Sequence, residues 1–305
     1  MVGTPAWSLV TFTRNGGPDE AGILLPDGQI VQPDRLAAYR GAIGALRDWE
    51  LLAPALRELD PIALTPIPDA EATVPLRFPN KLLCVGANYY DHVAEMGAPE
   101  IHEGWRPFFF LLPPSTTLIP SGASVEIPAD PAAGIDWEAE LAVVIGTRAS
   151  HISREEAPRH VAGYATFNDI TARGYHRRPV SLAAPFDFDW LGSKGLDGFC
   201  PMGAMTPAWM IADPHALGIR CTIDGVVKQN GNTSSMIFDI WELIAAASRQ
   251  WTLEPGDVIA TGTPAGVGAP SRTFLTGGEE VVVEIDGCAP LRSPIRVRKS
   301  AFLAA

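Results

Sequence analysis

The stretch DWEAELAVVIG, residues 136–146, decides the fold. Its second half is an unbroken apolar run that reads as a buried strand, and two acids, Glu138 and Glu140, stand at its mouth. In an extended strand, side chains at i and i+2 project from the same face. Glu138 and Glu140 are therefore placed side by side, with Trp137, Ala139 and Leu141 turned the other way. Carboxylates that close repel each other. The repulsion is relieved if one is protonated, if each finds a basic partner, or if a cation lies between them. All-oxygen ligands suit Mg²⁺, Mn²⁺ or Ca²⁺. A third acid, Asp169, ends the next strand-like run in GYATFNDITAR. Three carboxylates plus waters make an open metal site that a substrate enters by displacing water. The same pattern also describes a solvated strand face with Asp169 beginning a turn, and these residues alone leave both readings open.

Around this stretch the pattern is mostly one of short strands: KLLCVGA, VAGYATFND, GIRCTIDGVV, DVIATGT and EVVVEIDG, with helices expected over YYDHVAEMG and MIFDIWELIAAASRQ. Residues 7–32 alternate apolar and polar side chains about a Pro-Asp-Gly turn at 26–28, which predicts antiparallel strands. Helical spacing follows in DRLAAYRGAIGALRDWELLAPALREL, and then a Pro-rich joint, TPIPDAEATVPLRFPNK. The expected organisation is a small N-terminal α/β accessory domain, residues 1–78, before a larger mixed, β-rich α+β domain, residues 79–305.

With 305 residues, 47% hydrophobic and 19% charged, the chain has the composition of an ordinary globular protein. A net charge of −12 argues against nucleic acid or an anionic membrane as the main partner, so an anionic substrate must meet a local cation. Cys84, Cys200, Cys221 and Cys288 lie far apart and are expected to be reduced and packed. The opening stretch MVGTPAWSLVTFTRNGG lacks a basic segment followed by an apolar one, and no run is long enough to span a bilayer, so a cytoplasmic location is expected.

Other residues could carry chemistry. His92 and Glu95 in GANYYDHVAEMG are three apart, so on a helix they share a face and can pair as a general base oriented by a carboxylate. The alternative is an ordinary helix-surface pair. Lys194 in WLGSKGLDGFCPMG sits among glycines and apolar residues, where a cation can reach an anionic intermediate. TGTPAGVG, residues 261–268, follows a strand but fits neither dinucleotide nor P-loop spacing; its amides and Thr263 could bind a carboxylate. No H-x-x-x-H or G-x-S-x-G occurs, which disfavours zinc and serine hydrolases.

In this order, VGANYYDHVAEMG, DWEAELAVVIG, GYATFNDITAR, SKGLDGFCPMG, DGVVKQNGNTSSMIF and TLEPGDVIATGTPAGVG resemble the fumarylacetoacetate hydrolase family across nearly all of residues 81–290. The resemblance implies a β-roll catalytic domain, usually a homodimer, with Mg²⁺ or Mn²⁺ held by Glu138, Glu140 and Asp169. It also implies a His92–Glu95 dyad that activates water, Lys194 as the active-site cation, and Arg173, His176, Gly262 and Thr263 near a small 2-oxo acid substrate. The implied activity is hydrolysis of a C–C bond in an acylpyruvate or fumarylpyruvate-like compound, as in aromatic catabolism. The alternatives are an isomerase or decarboxylase of the 2-hydroxyhepta-2,4-diene-1,7-dioate type, or a non-catalytic metal-binding protein. The sequence departs from the family pattern at Leu112 (commonly lysine), Gly174 and His176 (an acid and an amide) and Gly198 (threonine).

Overall fold

The computed structural model describes residues 7–97, 102 and 104–298; the first six residues of the opening stretch lie outside them. The strand Ala139–Ile145 lies inside an eight-stranded sheet. Val161–Asn168 pairs antiparallel on one side of it and Val258–Ala260 on the other. Leu82–Gly86 and the edge strand Phe108–Leu112 continue the sheet beyond Val258–Ala260. A five-stranded sheet contains the Gly218–Ile223 and Val226–Asn232 hairpin, Glu280–Ile285, Leu291–Val297 and Val125–Ile127.

The apolar run is continuous because both its faces are covered. Ala139, Leu141, Val143 and Ile145 join a core with Ile219, Val283 and Leu291 of the second sheet and with Leu243 and Ile244 of the helix Ile240–Gln250. Ala142 and Val144, on the opposite face, join a core with Trp7, Leu9, Ile23, Leu46 and Trp49 of the N-terminal segment. That segment forms a four-stranded sheet from Ile30–Val31, Glu20–Leu24, Ser8–Arg14 and Ala70–Ala72, and its largest apolar side chains share the core of the eight-stranded sheet. Glu138 and Glu140 occupy the end of the face that this segment covers further along.

Several expectations sharpen. The helical stretch after residue 33 is broken into Asp34–Leu36, Gly41–Arg47 and Trp49–Arg57, with Pro54 inside the last. GIRCTIDGVV is a hairpin rather than one strand, because Asp224 and Gly225 both take positive φ, as a two-residue hairpin turn requires. The helix expected from Met236 starts at Ile240, where Asp239 caps it by accepting from the Glu242 amide at 2.9 Å. No cysteine is disulfide-bonded, and Cys84, Cys200 and Cys221 are buried. No helix among the described residues is long and apolar enough to cross a membrane.

Candidate metal centre and active site

Strand register brings the three acids together. Ala139 pairs with Asn168, so Asp169, one residue beyond, lies across from Glu138, and its amide donates to the Glu138 carbonyl at 3.0 Å. The Glu138 amide in turn donates to Asn168 Oδ1 at 3.0 Å. Oxygens of Glu138, Glu140 and Asp169 lie within 4.8 Å of one another, and all three residues are buried. The solvated-face reading is therefore set aside.

Two cations reach this cluster. Lys194 closes the short helix Trp190–Lys194, and its Nζ donates to Glu138 Oε2 at 2.8 Å, Asp169 Oδ2 at 2.7 Å and Thr171 Oγ1 at 2.8 Å. Arg173 donates through Nη2 to Glu138 Oε1 at 2.5 Å and through Nε to Asp136 Oδ2 at 2.9 Å. Burial works against a charged Glu138, yet Lys194 and Arg173 outweigh it and hold the carboxyl down at about 2. Asp169 is raised to about 6 by burial and the neighbouring Glu138 charge, against the pull of Lys194. Glu140 is pushed well above the usual carboxylate range by burial and by Asp169 and Glu138, and its Oε2 accepts from the Gly262 amide at 2.8 Å.

The residues present fit a hard divalent cation. Asp136, Glu138, Glu140 and Asp169 offer four negative charges against the two positive charges of Lys194 and Arg173. Without metal the imbalance is eased by carboxyls that keep protons, Glu140 and Asp169 both being raised. Asp169 Oδ1 is buried with no hydrogen-bond partner, an acceptor left over on the side of the cluster that the cations do not serve. The donor set is all oxygen, the preference of Mg²⁺ or Mn²⁺.

His92 and Glu95 do pair. On the helix Tyr90–Glu95, His92 Nδ1 lies 2.7 Å from Glu95 Oε1, and Glu95 Oε2 accepts from the Gly266 amide at 2.8 Å. Among the ten residues singled out from the sequence, all but Glu95 and Gly262 line one cavity of about 250 Å³. Glu95 stands behind His92, and Gly262, held at φ 94, spends its amide on Glu140. Thr263 lines the cavity while its hydroxyl holds the Ala139 carbonyl at 2.8 Å. A larger cavity of about 460 Å³ lies between the N-terminal sheet and Gly287–Pro290, but no charged side chain or histidine lines it.

The departures have local causes. A Cβ at Gly174 would lie 1.8 Å from the Ala132 carbonyl oxygen, so that position excludes a side chain. Gly198 takes φ 76, in the left-handed region. Leu112 is buried in the core with Leu82 and does not line the cavity, whereas His176 does.

Three supporting residues carry no role in the sequence reading. Asp136 is fully buried and accepts from Arg173 and from the amides of Gly268 (2.6 Å) and Ala269 (3.0 Å), tying the glycine-rich loop to the acid strand. The sequence carries a signal for it, since Asp136 shares the alternation of Glu138 and Glu140. Gln229 accepts from the Ala139 amide at 3.0 Å and donates to Thr263 Oγ1 at 2.8 Å. Asn88 donates to the Thr261 and Phe238 carbonyls. No local pattern announces these last two.

Residues 81–296 match the family described as fumarylacetoacetate (FAA) hydrolase C-terminal, which is most of the chain. The chain belongs to the fumarylacetoacetate hydrolase family. Among curated relatives of this family member, "Oxaloacetate tautomerase fahd2, mitochondrial" of Xenopus laevis is 40% identical over 224 residues, covering 72% of this chain and 67% of the relative. Among solved structures, fumarylacetoacetate hydrolase of Exiguobacterium antarcticum superposes with TM-score 0.76 at 28% identity, covering 96% of this chain and 100% of that one. Maleylpyruvate hydrolase of Sphingobium sp. SYK-6, in complex with manganese(II) and pyruvate, superposes with TM-score 0.74 at 27% identity, covering 96% and 100%. The expected family and β-rich fold thus hold.

Proposed function

We propose that this chain is a Mg²⁺- or Mn²⁺-dependent keto–enol tautomerase of a short 2-oxo diacid of the oxaloacetate type. The observation that carries the reading is the convergence of a carboxylate-oriented imidazole, a buried lysine and a three-carboxylate cluster on one cavity of about 250 Å³, a volume suited to a small diacid. What favours tautomerisation over C–C cleavage is the 40% identity to the frog tautomerase, against 27% to the maleylpyruvate hydrolase. Glu138, Glu140 and Asp169 would hold the ion, which when bound supplies Lewis-acid polarisation of the 2-oxo acid.

The chain's own residues do the rest. His92, with Nδ1 committed to Glu95, presents Nε2 as the group that moves a proton at C3. Lys194 offsets the negative charge that grows on oxygen as an enolate develops. Arg173, fixed between Asp136 and Glu138, adds a second positive charge on the cavity wall. Phe110 and Trp190 give the cavity an apolar side that limits competing water.

A second reading is hydrolysis of an acylpyruvate or fumarylpyruvate-like C–C bond, with His92 deprotonating a water that attacks the distal ketone. The fold-wide likeness to maleylpyruvate hydrolase supports it. A time-resolved NMR assay of the Mn²⁺- or Mg²⁺-loaded protein with enol-oxaloacetate, fumarylpyruvate and acylpyruvates separates the readings by product. Accelerated ketonisation without cleavage is expected. Cleavage of an acylpyruvate at a comparable rate would replace the tautomerase reading with the hydrolase one, and release of CO₂ from oxaloacetate would mark a decarboxylase.

The proposed assembly is a homodimer. Phe108 and Leu111 are exposed on Phe108–Leu112, an edge strand with apolar residues facing outward. Light scattering should give twice the chain's mass, and a monomer at micromolar concentration would count against the proposal.

A further inference from the structure

Two imidazoles line the active-site cavity, and the second has no place in a single-base scheme. His176 follows the short helical turn Arg173–Tyr175 and lines the same cavity as Lys194 and His92. Its ring packs edge-on against Trp190 with centroids 4.5 Å apart, and lies 5.4 Å from the Phe188 ring. The segment between these residues is closed at its base, where the Asp189 amide donates to the His176 carbonyl at 2.8 Å. The ring is therefore held, not merely near.

The hydrogen bonds engage one ring nitrogen and leave the other open. Ser193 has one hydroxyl hydrogen, and it is donated to the Trp190 carbonyl at 3.1 Å. The same oxygen lies 3.3 Å from His176 Nδ1. His176 Nε2 has no hydrogen-bond partner among the described residues and is the ring nitrogen left open. No carboxylate contacts this ring, in contrast with the Glu95 partner of His92. Burial and the charges of Lys194 and Arg173 keep His176 neutral more readily than an ordinary histidine, with Glu138 and Asp189 pulling the other way.

We propose that His176 is a second proton-transfer residue of this site, its Nε2 accepting the enol hydroxyl proton while His92 supplies the proton to C3. The inference rests on the tautomerase reading. In ketonisation the O–H bond breaks and its electron pair becomes the carbonyl π bond. The C2–C3 π pair takes the proton from His92 Nε2 to form the new C3–H bond. No electrons are gained or lost overall; one proton moves onto His176 and one leaves His92, and exchange with solvent resets both rings. The division of labour follows from the neighbours. His92 is paired with the Glu95 carboxylate, which offsets positive charge on its ring during the transfer, whereas no carboxylate bonds His176, whose ring faces Lys194 and Arg173. Enolisation runs the same transfers backwards.

The test uses the full chain loaded with Mn²⁺, assayed for ketonisation of enol-oxaloacetate, with oxalate binding followed by calorimetry. His176→Gln keeps a side-chain amide able to bond Ser193, and His176→Ala leaves space for a small base. Expected are a fall in kcat of about a hundredfold in both variants with KM within about threefold, unchanged oxalate affinity, and recovery of the alanine variant by added imidazole. A kcat within about threefold of wild type in His176→Gln would overturn the assignment. So would a loss in His176→Ala that imidazole leaves unrelieved while oxalate still binds, or loss of oxalate binding in both variants, which would make the ring a positioning group. If the wild-type chain itself does not accelerate ketonisation, the tautomerase reading fails, and this inference with it.

Discussion

Metal binding should cost protons, and the cluster gives the count. Without metal, Asp169 is raised to about 6 and Glu140 is pushed well above the usual carboxylate range, each chiefly by burial. A hard cation needs both as carboxylates. With a midpoint of about 6, Asp169 is ionised in about one molecule in eleven at pH 5 and in about nine of ten at pH 7. That residue alone weakens Mn²⁺ affinity roughly tenfold between pH 7 and pH 5, and the proton on Glu140 steepens the loss. Stability follows the same linkage. A carboxyl raised on folding contributes stability that is present below its unfolded value of 3.8 and lost as pH rises through about 6. For a fully buried group this is on the order of a few kcal/mol. The metal-free protein therefore weakens as pH climbs from 4 towards 7, while the metal-induced rise in Tm grows over the same range. Calorimetry with Mn²⁺ in buffers of different ionisation enthalpy should record release of about one proton per ion near pH 7, chiefly from Glu140, rising towards two near pH 5 as Asp169 also starts protonated. An affinity that stays constant from pH 5 to pH 7, with no proton release, would refute the reasoning that these acids hold protons in the free protein that the ion must displace.

Two substitutions probe the surrounding frame. Lys194→Met leaves Glu138 and Asp169 facing each other without their shared cation; removing one partner of such a buried network costs about 3–5 kcal/mol. Thermal melts should show a lower Tm without metal that Mn²⁺ partly restores, and turnover should collapse in either state; an unchanged metal-free Tm would contradict the network. Gly174→Ala places a Cβ 1.8 Å from the Ala132 carbonyl oxygen, so the backbone must shift and stability should fall by about 1–3 kcal/mol or more in denaturant titrations. A variant as stable as wild type would show that the turn beside Arg173 yields without cost.

What the sequence makes legible follows from the range of the interactions. The acid strand was readable because alternation is local: a period of two places Glu138 and Glu140 on one face whatever covers it. The His92–Glu95 pair was readable for the same reason, since a single helical turn brings i and i+3 together. Asp136 obeyed that same alternation and was passed over, because its partners, the amides of Gly268 and Ala269, lie more than 130 residues away. Gln229 and Asn88 lie further beyond reach. Each satisfies backbone groups whose exposure depends on how the glycine-rich loop approaches the acid strand, and that approach is a tertiary fact.

The N-terminal segment shows the same limit from the other side. Its strands and helical turns read as a unit of their own, yet Trp49 packs so tightly on the end of the acid strand that a Cβ at Gly146 would lie 2.6 Å from its ring. Ala142 and Val144 are covered by that segment, and Glu138 and Glu140 continue the same face past its edge. The carboxylates thus stand where a buried sheet face loses its apolar cover, so the protein closes the face with Lys194, Arg173 and a charge deficit suited to a divalent ion. On this view the segment sets the depth of the site. Carboxylates left on an open sheet face would be solvated, their pKa values ordinary and their hold on a metal correspondingly weaker.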